Sequence, residues 1–392
     1  MNRLVIFRNL LNDRRIKLLT ELAATDDDKQ FEQKYYELCS LVIKNEDIPF
    51  PDQITALVLS DENAFSIAAE KGEDISNLLE KAVLNDIDIL REILSLDFKA
   101  LSDRAGDSRL LLCSGTYSET TNALITRTNE EILEMLYESY KRDGCGVYRL
   151  YDAFTINEDL EPVPVLPCKP MELGSLYGYE GQKADITGNT ERLVSGLPAH
   201  NILLFGDSGT GKSTMVKAML PLFRTRRLRL VEVDKDKLHA LPSLIASLSA
   251  RGLFFIVFID DLSFEHNDEE YKFLKTIIQG GLYENMTNVR FYVTSNRRNI
   301  VKQNMQAREN EVNVNDFLNE TVSLTDRFGL KIYFDKPTKI EFLEIVRFLA
   351  ELSDISFSEE TEKAALKFAF FNGGYNGRSA RQFIDSIITT PR

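Results

Sequence analysis

Apolar positions in the first 150 residues recur at helical spacing, as in Leu78, Leu79, Ala82 and Val83, then Leu90, Ile93 and Leu94. With few glycines to interrupt it, this pattern predicts a mainly α-helical region over residues 1–150. The pattern stops at Asp143-Gly-Cys-Gly146, and Pro162, Pro164, Pro167 and Pro170 follow among extended residues. Proline fixes φ and disfavours helix before it, so residues 151–175 read as an extended linker. Beyond it the period changes. A helical stretch from about Leu176 to Gly196 leads into Ile202–Phe205, an apolar run that suits a buried parallel strand. Leu228–Val233, Leu253–Ile259, Val289–Ser295 and a stretch near Lys331–Phe334 read as four more strands. Between them lie helical patterns at Met215–Leu220, which Pro221 should stop, at Leu241–Leu248, and from about Asp268 to Gly280. Three further helical patterns, about Lys339–Leu352, Glu359–Phe371 and Arg378–Ile388, close the chain.

The first strand runs into Gly206-Asp-Ser-Gly-Thr-Gly-Lys-Ser-Thr214 and then a helix, which is the pattern of a phosphate-binding P-loop. Glycine at 206, 209 and 211 permits positive φ, so backbone N–H groups from Gly206 through Asp207, Ser208, Gly209, Thr210 and Gly211 can turn toward an anion at a helix N-terminus. Lys212 supplies a point charge for β- and γ-phosphates, the Ser213 hydroxyl suits Mg²⁺, and Thr214 completes the pattern. The strand Leu253–Ile259 delivers Asp260 and Asp261 to its C-terminal edge, where open α/β sheets bind ligands, and Asn296 stands at the tip of the next strand.

A phosphate loop, an acidic strand end and a polar strand end in this order, with a helical region behind them, resemble the AAA+ ATPases. The resemblance covers about Leu176 to the C-terminus. More narrowly, HNILLFGDSGTGKST, FIVFIDDLSF, YVTSNRRNI, LTDRFGL and NGRSARQFID are similar to the AAA-family proteins grouped as DUF-815. The resemblance implies a parallel five-stranded α/β sheet at residues 176–337, a helical lid at 338–392, and ATP with Mg²⁺ as the cofactors. It implies that Asp260 holds Mg²⁺ through its water shell beside Ser213. Asp261 stands where these proteins usually place a water-polarising glutamate; aspartate is one methylene shorter, which implies slow turnover. Glu265 is a substitute base or a surface residue. Asn296 corresponds to the residue that holds water or γ-phosphate, beside Arg297 and Arg298. Arg327 resembles an arginine finger inserted into a neighbour's site, which implies a homo-oligomer. Arg381, or else Arg378, corresponds to a lid arginine that reaches phosphate, and Tyr177–Glu180 lies where the family holds adenine.

Composition changes this picture at the margins. The formal net charge is −14, and residues 1–150 hold 28 acidic against 18 basic side chains. That argues against general binding to polyanions and leaves the N-terminal region as a solvated surface or a docking face for a basic protein partner. The run Arg224-Thr-Arg-Arg-Leu-Arg229 is the exception, read as a solvated loop more readily than a nucleic-acid contact. Cys39, Cys113, Cys145 and Cys168 are widely spaced with only three histidines beside them, which disfavours a zinc site and fits a cytoplasmic protein. No apolar run reaches membrane-spanning length. Where threading machines carry an aromatic loop, this chain has Asp234-Lys-Asp-Lys-Leu-His239. The expected function is therefore a Mg-ATP hydrolase that acts on a protein partner. The alternatives are a nucleotide-gated binding module with little hydrolysis, or a nucleic-acid loader.

Overall fold

Amphipathic helices dominate the first 150 residues, and side-chain caps set where several of them begin. Among the described residues they are α1 (Arg14–Ala23), α2 (Asp28–Val42), α3 (Phe50–Ser60), α4 (Ala64–Lys71), α5 (Asn77–Leu94), α6 (Phe98–Arg104), α7 (Glu119–Thr126), α8 (Asn129–Asp143) and α9 (Val147–Leu150). Asp13, Asp27, Asn63, Ser76, Asp97, Ser118 and Thr128 each accept a backbone N–H at a helix start, which satisfies donors the helix itself cannot. Their apolar faces close around Phe31, Tyr35, Phe50, Phe65 and Tyr140. The structure, a computed structural model, describes residues 3–45, 48–106, 112, 116–159, 161–166, 172–262, 286–296 and 327–388. It divides into two compact units, Met1–Leu150 and Tyr151–Arg392.

The second unit is built on a seven-stranded sheet in the order β2-β1-β4-β5-β6-β3-β7. Its strands are β1 (Ala153–Ile156), β2 (Pro162–Pro164), β3 (Ile202–Gly206), β4 (Leu228–Glu232), β5 (Phe254–Ile259), β6 (Val289–Ser295) and β7 (Leu330–Phe334). Five of them, β3 to β7, are the parallel strands read from the sequence. The other two correct that reading. The proline-rich stretch taken for a linker pairs with the sheet: β1 runs parallel to β4, and β2 returns antiparallel along β1. Proline cannot donate to a ladder, so a strand with Pro162 and Pro164 is tolerated at an edge, and β2 is the edge.

Helices α10 (Glu180–Val194), α11 (Lys212–Phe223) and α12 (Leu241–Ser249) accompany the sheet. Helix α11 continues two residues past Pro221, against the expected stop; the proline leaves the Lys217 carbonyl without its helical i→i−4 donor, and the helix ends within that turn at Phe223. Met215, Val216 and Met219 of α11 pack with Ile202, Leu204, Ile256 and Tyr292 into one buried cluster. The helix expected from Asp268 lies outside the described residues. A separate core, with Phe342, Val346, Ala365, Ala380 and Ile384, holds together α13 (Lys339–Glu351), α14 (Glu359–Phe371) and α15 (Gly377–Ile387).

Candidate functional site

All the parallel strands end at one edge, and a cleft of about 810 Å³ opens there between the sheet and helices α13 and α15. Its floor is the loop joining β3 to α11. Gly206, Gly209 and Gly211 have φ of 132°, 78° and 93°. The first has a packing reason as well as a torsional one: a Cβ there would fall 2.1 Å from the Phe334 carbonyl oxygen of β7. Asp207 donates its N–H to that same oxygen, Ser208 is exposed, and Thr210 donates its hydroxyl to the Asp207 carbonyl. The loop is thus tied down at its base while Gly209 to Thr214 line the cleft.

Lys212 is buried, and its Nζ donates to the carbonyl oxygens of Gly206 at 3.2 Å and Asp207 at 2.6 Å. Removal from water pushes its pKa down to about 8, against the attraction of Asp207, Asp261 and Asp260. Two carbonyl dipoles are a weak substitute for an anion, so the ammonium could exchange them for a stronger acceptor.

Opposite the loop stand the ends of β5 and β6. Ser213 donates its hydroxyl to Asp260 Oδ1 at 2.6 Å. Thr294 donates to the same oxygen at 2.5 Å and accepts the N–H of Asp261 at 2.8 Å. Asp261 has φ 54°, in the left-handed region, and Leu262 donates its N–H back to the Thr294 carbonyl. The Asp261 carboxylate accepts from Asn296 Nδ2 and lies 3.8 Å from Lys235 Nζ. Asn296 directly follows β6, two residues beyond Thr294, and together they hold both aspartates.

The cleft's other walls are unlike its floor. Leu176 and Tyr177, with Ile345 and Leu349 of α13, make an apolar side. The Tyr177 ring lies 5.5 Å from Phe348, and Tyr179, which caps α10 at φ 59°, donates its hydroxyl to the Asp335 carbonyl. Arg378 and Arg381 enter from α15, whose N-terminus rests on the loop: Arg378 donates its backbone N–H to the Gly209 carbonyl at 3.2 Å. The glycine loop with its buried ammonium, the Ser213–Asp260 pair, an apolar side and two arginines therefore face one space.

Residues 149–390 match a family described as "Protein of unknown function (DUF815)". The chain belongs to this family. Among solved structures, a mutant RuvB of Thermotoga maritima is similar to the DUF815 chain over 55% of its residues and 64% of the RuvB chain, at 18% identity and a TM-score of 0.39. AMPPCP-bound DnaA from Aquifex aeolicus is similar over 55% of this chain and 64% of its own, at 15% identity and a TM-score of 0.38. The DUF815 chain thus spans less than two thirds of either structure. No curated protein matches it.

Of the residues singled out in the sequence, the cleft gathers Gly209, Thr210, Gly211, Lys212, Ser213, Thr214, Asp260, Asp261, Asn296, Arg378 and Arg381. Arg327 is elsewhere. It is exposed and lies three residues before β7, at the end of that strand away from the cleft. Glu265, Arg297 and Arg298 lie outside the described residues. Thr294, Lys235, Ile345 and Leu349 were not found from sequence; only Thr294 left a signal, its place two residues before Asn296.

The arginine run is solvated at Arg224 and Arg226, as expected, and departs from that reading at Arg229. Arg224 pairs with Asp152 at 2.8 Å, Arg226 with Glu191 at 3.0 Å, and Arg229 is buried at 3.7 Å from Asp152. No helix among the described residues is long and apolar enough to cross a membrane.

Proposed function

We propose that this DUF815 chain is an AAA+ ATPase that binds Mg-ATP in the cleft and couples its hydrolysis to a change in the C-terminal lid. The observation that carries the reading is the convergence on one space of Lys212, the Ser213–Asp260 pair, Asp261 with Asn296, and the two lid arginines. Gly209, Gly211 and the first N–H groups of α11 would receive the phosphates, and Lys212 would exchange its two carbonyl partners for phosphate oxygens. Ser213 and Asp260 would hold Mg²⁺, which when bound neutralises charge on the β- and γ-phosphates. Asp261 orients the attacking water, Asn296 fixes that carboxylate, and Arg381, with Arg378 as the alternative, ties the lid to the phosphates. Leu176, Tyr177, Ile345 and Leu349 would take the base.

Arg327 supports assembly. The five residues of β7 separate its end of the sheet from the cleft, roughly 16 Å at strand rise, so an arginine finger at this position serves a neighbouring copy. A homo-oligomer in the cytoplasm follows as part of the proposal. The acidic N-terminal unit supports a basic protein partner, and the pairing of Arg224 and Arg229 with Asp152 and of Arg226 with Glu191 supports setting nucleic acid aside.

One observation favours a second reading, a nucleotide-gated module with scant hydrolysis: Asp261 is already engaged by Asn296 and lies near Lys235. Titration of a fluorescent ATP analogue tests the site shared by both readings. Lys212→Ala is expected to weaken binding about a hundredfold, since a charged donor in a cleft shielded from water is lost. Unchanged binding in that variant contradicts the site.

A further inference from the structure

Behind the cleft's two aspartates lies a polar group whose contacts the proposed roles leave unused. Thr294 is 1% exposed, and its hydroxyl stands between the two aspartates, donating to Asp260 Oδ1 at 2.5 Å and accepting from the Asp261 N–H at 2.8 Å. A hydroxyl has one proton, so with that proton on Asp260 its remaining lone pairs face the Asp261 amide. The two bonds run in one direction, from Asp261 N–H through Thr294 O–H to the Asp260 carboxylate, and such chains reinforce each bond in turn.

The backbone shows why a link is needed. Strand β5 ends at Ile259, and Asp261 adopts the left-handed region, which takes its amide out of the β5 ladder. An amide withdrawn from the ladder needs another acceptor, and Thr294 supplies one. Thr294 also accepts the next amide, Leu262, on its own carbonyl at 2.8 Å. The side chain and main chain of one residue thus fix the turn that aims Asp261 at the cleft, while the same hydroxyl fixes which oxygen of Asp260 faces Ser213.

We propose that Thr294 is a positioning residue that couples the metal-side carboxylate, Asp260, to the water-side carboxylate, Asp261, so that both are set by one hydroxyl. The inference rests on the reading of the cleft as a Mg-ATP site. It assigns Thr294 no contact with nucleotide. Its effect appears where magnesium and turnover depend on carboxylate geometry, not where the loop and Lys212 grip phosphate.

The test uses the full chain with Thr294→Val, which keeps the shape and removes the hydroxyl, and Thr294→Ser, which keeps the hydroxyl. Each is titrated with a fluorescent ATP analogue in EDTA and again in magnesium, with a thermal melt to confirm folding and kcat measured beside them. In EDTA both variants are expected to bind within about threefold of wild type, because the phosphate grip is intact. Magnesium should tighten binding in wild type and Thr294→Ser, with the gain in Thr294→Val smaller by about ten- to a hundredfold, the usual cost of removing a residue that orients a metal ligand. Its kcat should fall by a similar factor, and Thr294→Ser should recover most of it.

A Thr294→Val chain that gains as much from magnesium as wild type overturns the inference. So does loss of binding in EDTA as large as that in magnesium, which places the hydroxyl's effect on the loop instead. Binding without turnover in wild type leaves the decision to the magnesium arm. A wild-type chain that binds the analogue in neither buffer overturns the nucleotide site itself, and the inference with it.

Discussion

Asp261 departs from the glutamate that the AAA+ resemblance implies, and its backbone gives a reason. At φ 54° the residue sits where aspartate and asparagine are tolerated far better than longer side chains. The sequence displayed the substitution but not the torsion, since nothing in Ile259-Asp-Asp-Leu262 announces a left-handed residue. Asp261→Glu, a nominal restoration, is therefore expected to leave kcat at or below wild type and to lower the melting temperature; a severalfold rise in kcat would contradict this geometry. Lys212 carries a prediction in pH. Its pKa in the free protein is held down to about 8 by burial, and phosphate in place of two carbonyls favours the charged form, so the bound value is higher. Binding then takes up a proton between the two values. ATP affinity should be level from about pH 7.5 to 8 and weaken as pH rises beyond, approaching tenfold per unit. Calorimetry in buffers of different ionisation enthalpy would detect the uptake, and affinity constant to pH 9.5 would contradict it.

Elements were legible wherever one period governed a stretch. Strand β5 announced itself as an unbroken apolar run because both of its faces are covered, and the lid helices α13, α14 and α15 fell close to their apolar spacing. The hairpin of β1 and β2 was missed for a physical reason: proline chemistry marks extended backbone equally in a linker and in an edge strand, and only pairing distinguishes them. The contact between the loop and α15 was equally hidden, as it needs Asn376 and Gly209 to meet across 167 residues of chain. Asn376 caps α15 with a reciprocal capping box, and its Oδ1 lies 2.6 Å from where a Cβ on Gly209 would be. Asn376→Ala should cost the lid about 1 kcal/mol and speed amide exchange in residues 377–387. Exchange unchanged in α15 would show that the cap does not hold the lid helix in place.

At the scale of the whole molecule, the described residues of the proposed nucleotide cleft leave one role to be filled, a cation for charge that develops on the γ-phosphate from the far side. On the proposed reading Arg327 provides it to another copy; the cleft's composition was readable from sequence because P-loop, β5 end and β6 end are contiguous motifs, whereas Arg327's separation from the cleft followed only from strand order. The most direct measurement is phosphate release from Mg-ATP across a protein concentration series, with Lys212→Ala and Arg327→Ala beside wild type. Specific activity should rise with concentration, be abolished by Lys212→Ala, and fall by about a thousandfold in Arg327→Ala while that variant still binds ATP. Phosphate release that is the same in Lys212→Ala as in wild type would contradict the ATPase reading.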